Sequence, residues 1–577
     1  MKRVIPAGIL LGGLAALSPG WFFIGLLAAG FALLLSRITG AADRKFVARL
    51  FLAGFVVRAM LSIGLDAGSC IVEKEFPAHR GPPAYWELGI SDKTRGYLLV
   101  GDSDFYSARG QALVQYVRGS REPGVIYRLN QYGWNGYIDL IGLFYYVFGF
   151  SPSAVKGINC LLGAACGTLV FFLARDIFNR KIARWAAVGT AFFPSLLFWS
   201  LTNLKDIPFI FLTLLVILLF VRLIRAPGIR AKGMHVLYLA LVLLVHSLVR
   251  EVFFALLLAM LLLAALFSRW KTWPWLLLAS AVPVGIFLIE KNPVVQSHVR
   301  AMLAQFFHKH IGYVSTPGIS YLLFPVSFYV PAYLWEWVAS GTMDWPIWAG
   351  LLKVPFHFFL EPLPWRFDSA VQMPALLQMV VWYNILFFAV WGVLSALKRR
   401  APGHFYLLLP FLSFSYLIGL TNGNVGTLFR IRDLITPLLL IYAAVGLERF
   451  LRPERVRGSR LAGWFDRVRG RSLQIWNRWE QSLTEETARF VSAARSIPVR
   501  SACWIFLVTL LANSACFAVR NIEWTLDGLV FRLGLLVLGL WGLLVRSDWS
   551  DLWQESRLAA IRRLNKSTRY SVPGTPC

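Results

Sequence analysis

Apolar runs of roughly 17 to 25 residues recur along most of this chain, each long enough to cross a hydrocarbon core about 30 Å thick. Inside lipid, a segment must satisfy its backbone hydrogen bonds internally, so repeated runs of this kind point to a bundle of helices. Of the 577 residues, 57% are hydrophobic and 15% charged, against about 25% charged in soluble domains. Lys and Arg number 58 and Asp and Glu 30, giving a formal net charge of +28. A soluble nucleic-acid binder can be this basic, but not this apolar. An all-α polytopic membrane protein is expected. A soluble enzyme, a disulfide scaffold and a disordered chain are excluded.

Candidate spans lie at 46–65, 154–177, 182–201, 207–223, 236–249, 252–267 and 273–289. Further ones lie at 319–339, 346–360, 373–397, 405–420, 434–450, 503–519 and 529–545. Residues 4–35 read as one long helix or as two short ones broken at Ser18-Pro19-Gly20, and as an anchor in place of a cleaved signal. Lys and Arg favour inner loops. Threading the spans puts Arg37/Arg44/Lys45/Arg49, Arg175/Arg180/Lys181/Arg184, Arg222/Arg225/Arg230/Lys232, Arg269/Lys271 and Lys398/Arg399/Arg400 on one side. The basic stretch 452–500 and the tail from Arg546 join them. The stretches 66–153, 202–206, 250–251, 290–318, 361–372 and 421–433 fall on the other side, termed outer below. The positive charge thus reads as orientation plus attraction to anionic lipid, about 1 kcal/mol per basic residue at the surface. A nucleic-acid partner is not expected.

The expected organisation is an anchor over 1–45, a core over 46–450 with 66–153 as its first outer loop, and a basic segment over 451–500. A pair of spans over 501–546 and a tail over 547–577 follow. With Trp464, Trp476 and Trp479 among its arginines, the basic segment suits an amphipathic helix on the inner leaflet. Cys160, Cys166, Cys503 and Cys516 lie in apolar segments and Cys70 and Cys577 stand alone, so the cysteines read as packing residues.

Chemistry is to be sought in the outer loops. The first contains Gly101-Asp102-Ser103-Asp104-Phe105-Tyr106, two carboxylates in a Gly/Ser turn ahead of an expected helix. They suit a general base or a divalent cation, and equally an N-cap. The second, Thr202-Asn203-Leu204-Lys205-Asp206, ends in a charged pair that reads as a site or as a solvated surface pair. Arg250, in a short turn after His246, stands against the charge bias and suits an anion. In the last loop, Asn424 lies in a flexible turn before Arg430 and Arg432. Guanidinium groups match phosphate with paired donors, although an Arg432–Asp433 structural pair is the alternative. His298, His308 and His310 lack positioned carboxylates and make a weak metal site. Glu361-Pro362-Leu363-Pro364-Trp365-Arg366 reads as an interfacial turn, and the run 136–150 around Asp139 as interfacial or re-entrant.

The large first outer loop with Gly101-Asp102 and Tyr106, the Lys205-Asp206 pair, and the ending Arg430-Ile431-Arg432 through Pro437 and Gly446-Leu447 resemble one family. They are similar to the GT-C glycosyltransferases, and among them to bacterial members related to protein mannosyltransferases and aminoarabinose transferases. The resemblance covers roughly 46–450 and is strongest over 102–223. It implies a GT-C-like bundle of about 14 to 16 spans in a bacterial inner membrane, with the site facing the periplasm. It also implies a polyprenyl-phosphate sugar donor and a glycan, lipid or protein acceptor. The family's catalytic carboxylate falls on Asp102, with Asp104 as alternate, and its second-loop acidic position on Asp206. Lys205, Arg250, Asn424, Arg430 and Arg432 are the expected substrate contacts. No cofactor is required by this reading; a divalent cation and its ligands are left open.

The chain departs from the family pattern in extra sequence at Pro82-Pro83 and Tyr85-Trp86, and in Asp-Ser-Asp where the mannosyltransferases carry adjacent Asp-Glu. A flippase, which would favour ionisable groups within spans such as Arg58 and Arg532, is one alternative. A polysaccharide polymerase or ligase, sharing the outer arginines without needing Asp102, is another.

Overall fold

A computed structural model describes residues 19–75, 101–130, 136–269, 292–316, 319–341, 345–363, 373–399, 401 and 403–451. In chain order the α-helices begin with α1 (Pro19–Ile38), α2 (Ala41–Glu75), α3 (Gly101–Val117), α4 (Pro123–Asn130), α5 (Gly136–Phe148) and α6 (Pro152–Ile177). There follow α7 (Arg180–Phe192), α8 (Pro194–Trp199), α9 (Asp206–Arg225), α10 (Gly228–Val249), α11 (Glu251–Arg269) and α12 (Pro293–Val314). The series closes with α13 (Pro331–Ser340), α14 (Trp345–Leu360), α15 (Met373–Lys398), α16 (Phe405–Thr421), α17 (Val425–Ile431) and α18 (Thr436–Phe450). Among the described residues there is no strand, only an isolated bridge between Ser320 and Asn424. The protein is an all-α polytopic membrane protein.

Five described helices are long and apolar enough to cross a membrane: Asp43–Leu65, Pro152–Ile177, Asp206–Arg225, Gly228–Val249 and Leu376–Lys398. Phe23–Arg37, Gly136–Phe148, Glu251–Phe267 and Phe405–Thr421 are apolar but shorter. The expected spans at 273–289, 503–519 and 529–545 lie outside the described residues, as does the basic segment beyond Leu451. Two expected spans are not continuous helices. Residues 182–201 break at Pro194, which opens α8 after an extended Phe193 (φ −63, ψ 126), because proline removes a helical N–H and holds its predecessor out of the α region. Residues 319–339 form an irregular entry, a 3-10 turn Val326–Tyr329 and the ten-residue α13, interrupted by Pro325 and Pro331. Conversely, the expected outer loop 290–318 is largely the 22-residue α12, capped where the Asn292 side chain accepts from Val294 and Val295 N–H.

The chain divides into two compact units. The larger comprises 27–143 and 152–478 and carries all the candidate residues. The smaller comprises 1–26, 144–151 and 479–577; in its described part the Phe144 and Phe148 rings lie 4.7 Å apart.

Within the larger unit, small residues let helices approach closely, the usual device where lipid is as apolar as leucine. On α7 the buried face is Ile182, Ala183, Ala186, Ala187, Thr190 and Ala191. A side chain added at Gly167 of α6 would meet Ala191 Cβ at 3.1 Å and the Ala187 carbonyl at 3.2 Å. The tightest crossing joins α15 and α18, where a Cβ at Gly392 would fall on the Tyr442 carbonyl and one at Gly446 on that of Phe388. At one end of the bundle, basic clusters distant in sequence converge on two carboxylates. Arg180 pairs with Asp43, and Asp176 accepts from Arg175 at 3.1 Å and Arg222 at 3.3 Å. The turns carrying Lys205, Arg250 and Asn424 come together elsewhere, on the outer side assigned from charge.

The crossing of α15 and α18 yields a direct test. Gly446→Leu forces backbone apart, and overpacking of this kind costs about 1–3 kcal/mol. Thermal unfolding in detergent is expected to show that loss, whereas Leu377→Val at a position 72% exposed leaves the transition within about 0.5 kcal/mol. Equal melting of the two variants would contradict the packing.

Candidate functional site

Six residues of turn separate α8 from α9, and every one is held by neighbours. Arg58 of α2 donates from Nε to Ser200 Oγ (2.8 Å) and from Nη1 to the Gly54 carbonyl (3.1 Å), pinning the start of the turn. Asn159 of α6 donates from Nδ2 to the carbonyls of Thr202 (2.7 Å) and Leu204 (2.9 Å). The Asn203 N–H donates to Ser103 Oγ (3.0 Å) and its Nδ2 to Ser107 Oγ (2.9 Å). Ser103 and Ser107 are four residues apart, hence on one face of α3, and both are buried. Buried polar groups need partners, so these two bonds set the register of α3 against the turn.

Helix α3 begins at Gly101, so Asp102 and Asp104 stand in its first turn and not in a loop ahead of it. They flank Ser103 in the chain, which places that turn beside 200–205; their side chains lie outside the described residues. Arg109, on the next turns of the same helix, donates to the Leu129 carbonyl at 2.8 Å.

Asp206 opens α9 and is 2% exposed. It is no solvated pair with Lys205. Arg250, from the turn between α10 and α11, hydrogen-bonds Asp206 Oδ1. Arg430 Nε of α17 stands 3.3 Å from Oδ2, an ion pair by distance though out of line for a hydrogen bond. A buried carboxylate is costly unless paired, and the N-terminus of α9 favours the same charge. The Arg250 guanidinium also lies 5.4 Å from the Phe209 ring and 5.8 Å from that of Phe253. Beneath it, His246 and Thr213 are hydrogen-bonded at 3.1 Å.

Next to this cluster is a cavity of about 490 Å³ lined by Lys205, Arg250 and Lys309, with Tyr313, Thr421 and Asn422 as further polar groups. Its described walls are otherwise mainly apolar, including Leu248, Phe253, Phe306 and Ile418, and Glu251 is the acidic group among them. Three cations against one carboxylate, over apolar walls, suit an anionic head on a hydrocarbon chain. Lys309 and Tyr313 were not among the expected contacts. Four residues apart on α12, they share a helix face, a relation concealed when 308–310 is read as a histidine tract. The cap and proline at Asn292-Pro293 were the signal for that helix.

Arg430 and Arg432 part company. Arg432 is 1% exposed; it donates from Nη1 to the Glu361 carbonyl (2.7 Å), lies 3.2 Å from the Met379 sulfur, and stacks 4.0 Å over the Trp382 ring. Burial lowers its pKa to about 10. Its neighbour Asp433 is pushed up to about 6, also by burial, although the Thr436 hydroxyl donates to it at 3.0 Å. Asn424 caps α17, accepting from Thr427 N–H at 2.9 Å. His308 is exposed while His310 is buried against the Tyr329 hydroxyl at 3.1 Å, and burial holds His310 down at about 4. Among the described residues no three His, Cys, Asp or Glu converge as metal ligands.

Asp206→Ala would leave Arg250 and Arg430 without their common counter-charge, a change that costs about 3–5 kcal/mol at buried pairs. Thermal unfolding in detergent is the measurement. A loss below about 1 kcal/mol would place Asp206 in solvent and contradict the cluster.

The model of the dolichyl-phosphate-mannose-protein mannosyltransferase family matches residues 138–289, a segment containing Asn159, the turn before α9, Asp206 and Arg250. No curated protein matches the chain. Among solved structures it is similar to the Archaeoglobus fulgidus oligosaccharyltransferase in the apo form, at 14% identity and a TM-score of 0.36. It is also similar to the archaeal oligosaccharyltransferase AglB of Archaeoglobus fulgidus in complex with an inhibitory peptide and a dolichol-phosphate, at 14% identity and 0.37. Each match covers 84% of this chain and 59% of the other, so the chain spans about three fifths of the length of those structures. Over 138–289, about a quarter of its length, the chain is therefore similar to this family of mannosyltransferases.

Proposed function

We propose that the protein transfers a sugar from a polyprenyl-phosphate donor to a hydroxyl of a glycan, lipid or protein acceptor at the outer, periplasmic face of a bacterial inner membrane. The observation that carries this reading is the cavity in which Lys205, Arg250 and Lys309 converge over apolar walls. The matched family is named for dolichyl-phosphate-mannose, a donor with the same parts: a phosphate, a prenyl chain and a sugar.

In the proposed reaction the acceptor oxygen attacks the anomeric carbon, and its proton passes to a carboxylate in the first turn of α3, Asp102 with Asp104 as alternate. General-base action of this kind contributes about 10²–10⁴ in rate. The bond from the anomeric carbon to the phosphate oxygen breaks, and the electron pair leaves on polyprenyl phosphate. Lys205, Arg250 and Lys309 receive that charge, each such group being worth about 10²–10³ in kcat by analogy with oxyanion donors. One displacement inverts the anomeric centre. Arg430 acts through Asp206 by fixing where Arg250 points. Arg432 and Asn424 hold the surrounding turn.

Transfer from labelled polyprenyl-phosphate sugars in proteoliposomes tests the reading. Release of polyprenyl phosphate is expected from the wild type, with a loss of about 10²-fold or more in Asp102→Asn and in Lys309→Gln. Activity abolished by a chelator and restored by magnesium or manganese would assign Asp102 and Asp104 to a divalent cation instead. Transfer untouched by Asp102→Asn or Asp104→Asn points to the polymerase or ligase reading. Movement of intact lipid-linked sugar without turnover contradicts the enzyme.

A further inference from the structure

A second cavity, of about 610 Å³, runs along an exposed face of α15 and reaches Arg449 of α18. Its long wall is apolar: Leu386, Phe387, Val390, Trp391 and Leu394. Phe387, Val390 and Leu394 are each more than half exposed. At one end stands Tyr383, whose hydroxyl donates to the carbonyls of Leu360 (2.8 Å) and Pro362 (3.2 Å). At the other stand Ser395, Lys398 and Arg449. Fifteen residues separate Tyr383 from Lys398, about 22 Å along a helix.

The cavity adjoins the close crossing of α15 and α18. Gly392 and Gly446 let α15 and α18 touch backbone to backbone. Trp391 sits beside that crossing, its ring 6.1 Å from Phe387 and 6.2 Å from Phe450. Large side chains flanking a very close crossing leave a trough between them.

From this geometry we infer that the trough is a binding site for an anionic phospholipid, its phosphate between Lys398 and Arg449 and one acyl chain along Trp391 and Phe387. The basic end coincides with the Lys398/Arg399/Arg400 cluster assigned to the inner side, where anionic lipids lie. Basic pockets between spans at that level are suited to phospholipid head groups. The long apolar wall with charge at a single end matches an amphiphile and not a soluble anion. Lys398 can extend its ammonium toward the head group while its methylenes stay on the apolar wall. This site lies on other helices than the donor cavity and stands or falls apart from the proposed transferase.

The test uses the full chain in nanodiscs of phosphatidylcholine doped with phosphatidylglycerol, extracted gently and read by native mass spectrometry for retained lipid. Wild type is expected to retain phosphatidylglycerol over phosphatidylcholine. Lys398→Gln and Arg449→Gln are each expected to lower that preference about fivefold. Val390→Trp, which fills the apolar wall and keeps both cations, is expected to abolish retention with an unchanged size-exclusion profile. Equal retention of both lipids would overturn the site, as would a Val390→Trp protein that keeps its phosphatidylglycerol. A photo-crosslinker at position 394 that captures peptide from 501–546 would show the chain's own segment there, and would also overturn it.

Discussion

A carboxylate buried where three turns meet constrains the whole outer end of this protein. Asp206 begins α9, Arg250 lies between α10 and α11, and Arg430 belongs to α17, which follows α16. None of the three charges is easily carried alone in a membrane protein. Together they oblige three turns, separated by 44 and more residues, to occupy one place. Among the described residues the cluster sets two cations against one anion, a positive surplus. Arg250 directs that surplus into the cavity, where Lys205 and Lys309 add to it.

The arrangement can be stiff because the layer beneath it is. Asn159 spends its side-chain amide on the backbone of the turn before α9, and Arg58 fixes the same turn from α2. Ser103 and Ser107 carry that rigidity across to α3 through Asn203. A reaction that needs a base on one element and cations on others depends on such cross-links, since small misplacements lose large rate factors. Deeper in the bundle, alanine and glycine faces bring α6, α7, α15 and α18 close enough to act as a frame.

The fold class was legible because it follows from hydropathy, and hydropathy is local. The grouping of basic residues was legible for the same reason, and Asp43 and Asp176 show it in space. Helix breaks were less so: 182–201 reads as one apolar span until Pro194 is given its full weight. The site was read in part. Lys205, Arg250 and Arg430 stand out as charges in outer turns, but nothing local distinguishes Arg430, which meets Asp206, from Arg432, which is buried under Trp382. Arg430 belongs to the last turn of α17, whereas Arg432 opens the 3-10 turn Arg432–Leu434 that follows it. Lys309 was hidden because 308–310 suggests a metal tract, whereas helical periodicity sends His310 inward and Lys309 outward. Asn159 and Asn203 gave no signal at all, since a buried amide in an apolar run becomes meaningful only when its acceptors are known.

On the proposed function, the cavity beside Asp206 recognises a phosphate carried on a prenyl chain. Equilibrium binding of polyprenyl phosphate and of the corresponding polyprenol to detergent-solubilised protein tests it most directly. The two ligands share the chain and differ in the phosphate alone. Tighter binding of the phosphate, by about tenfold or more, with the difference removed in Arg250→Gln and in Lys309→Gln, is the expected result. Equal affinity for the two ligands, or a preference that survives both substitutions, would contradict phosphate recognition by this cavity.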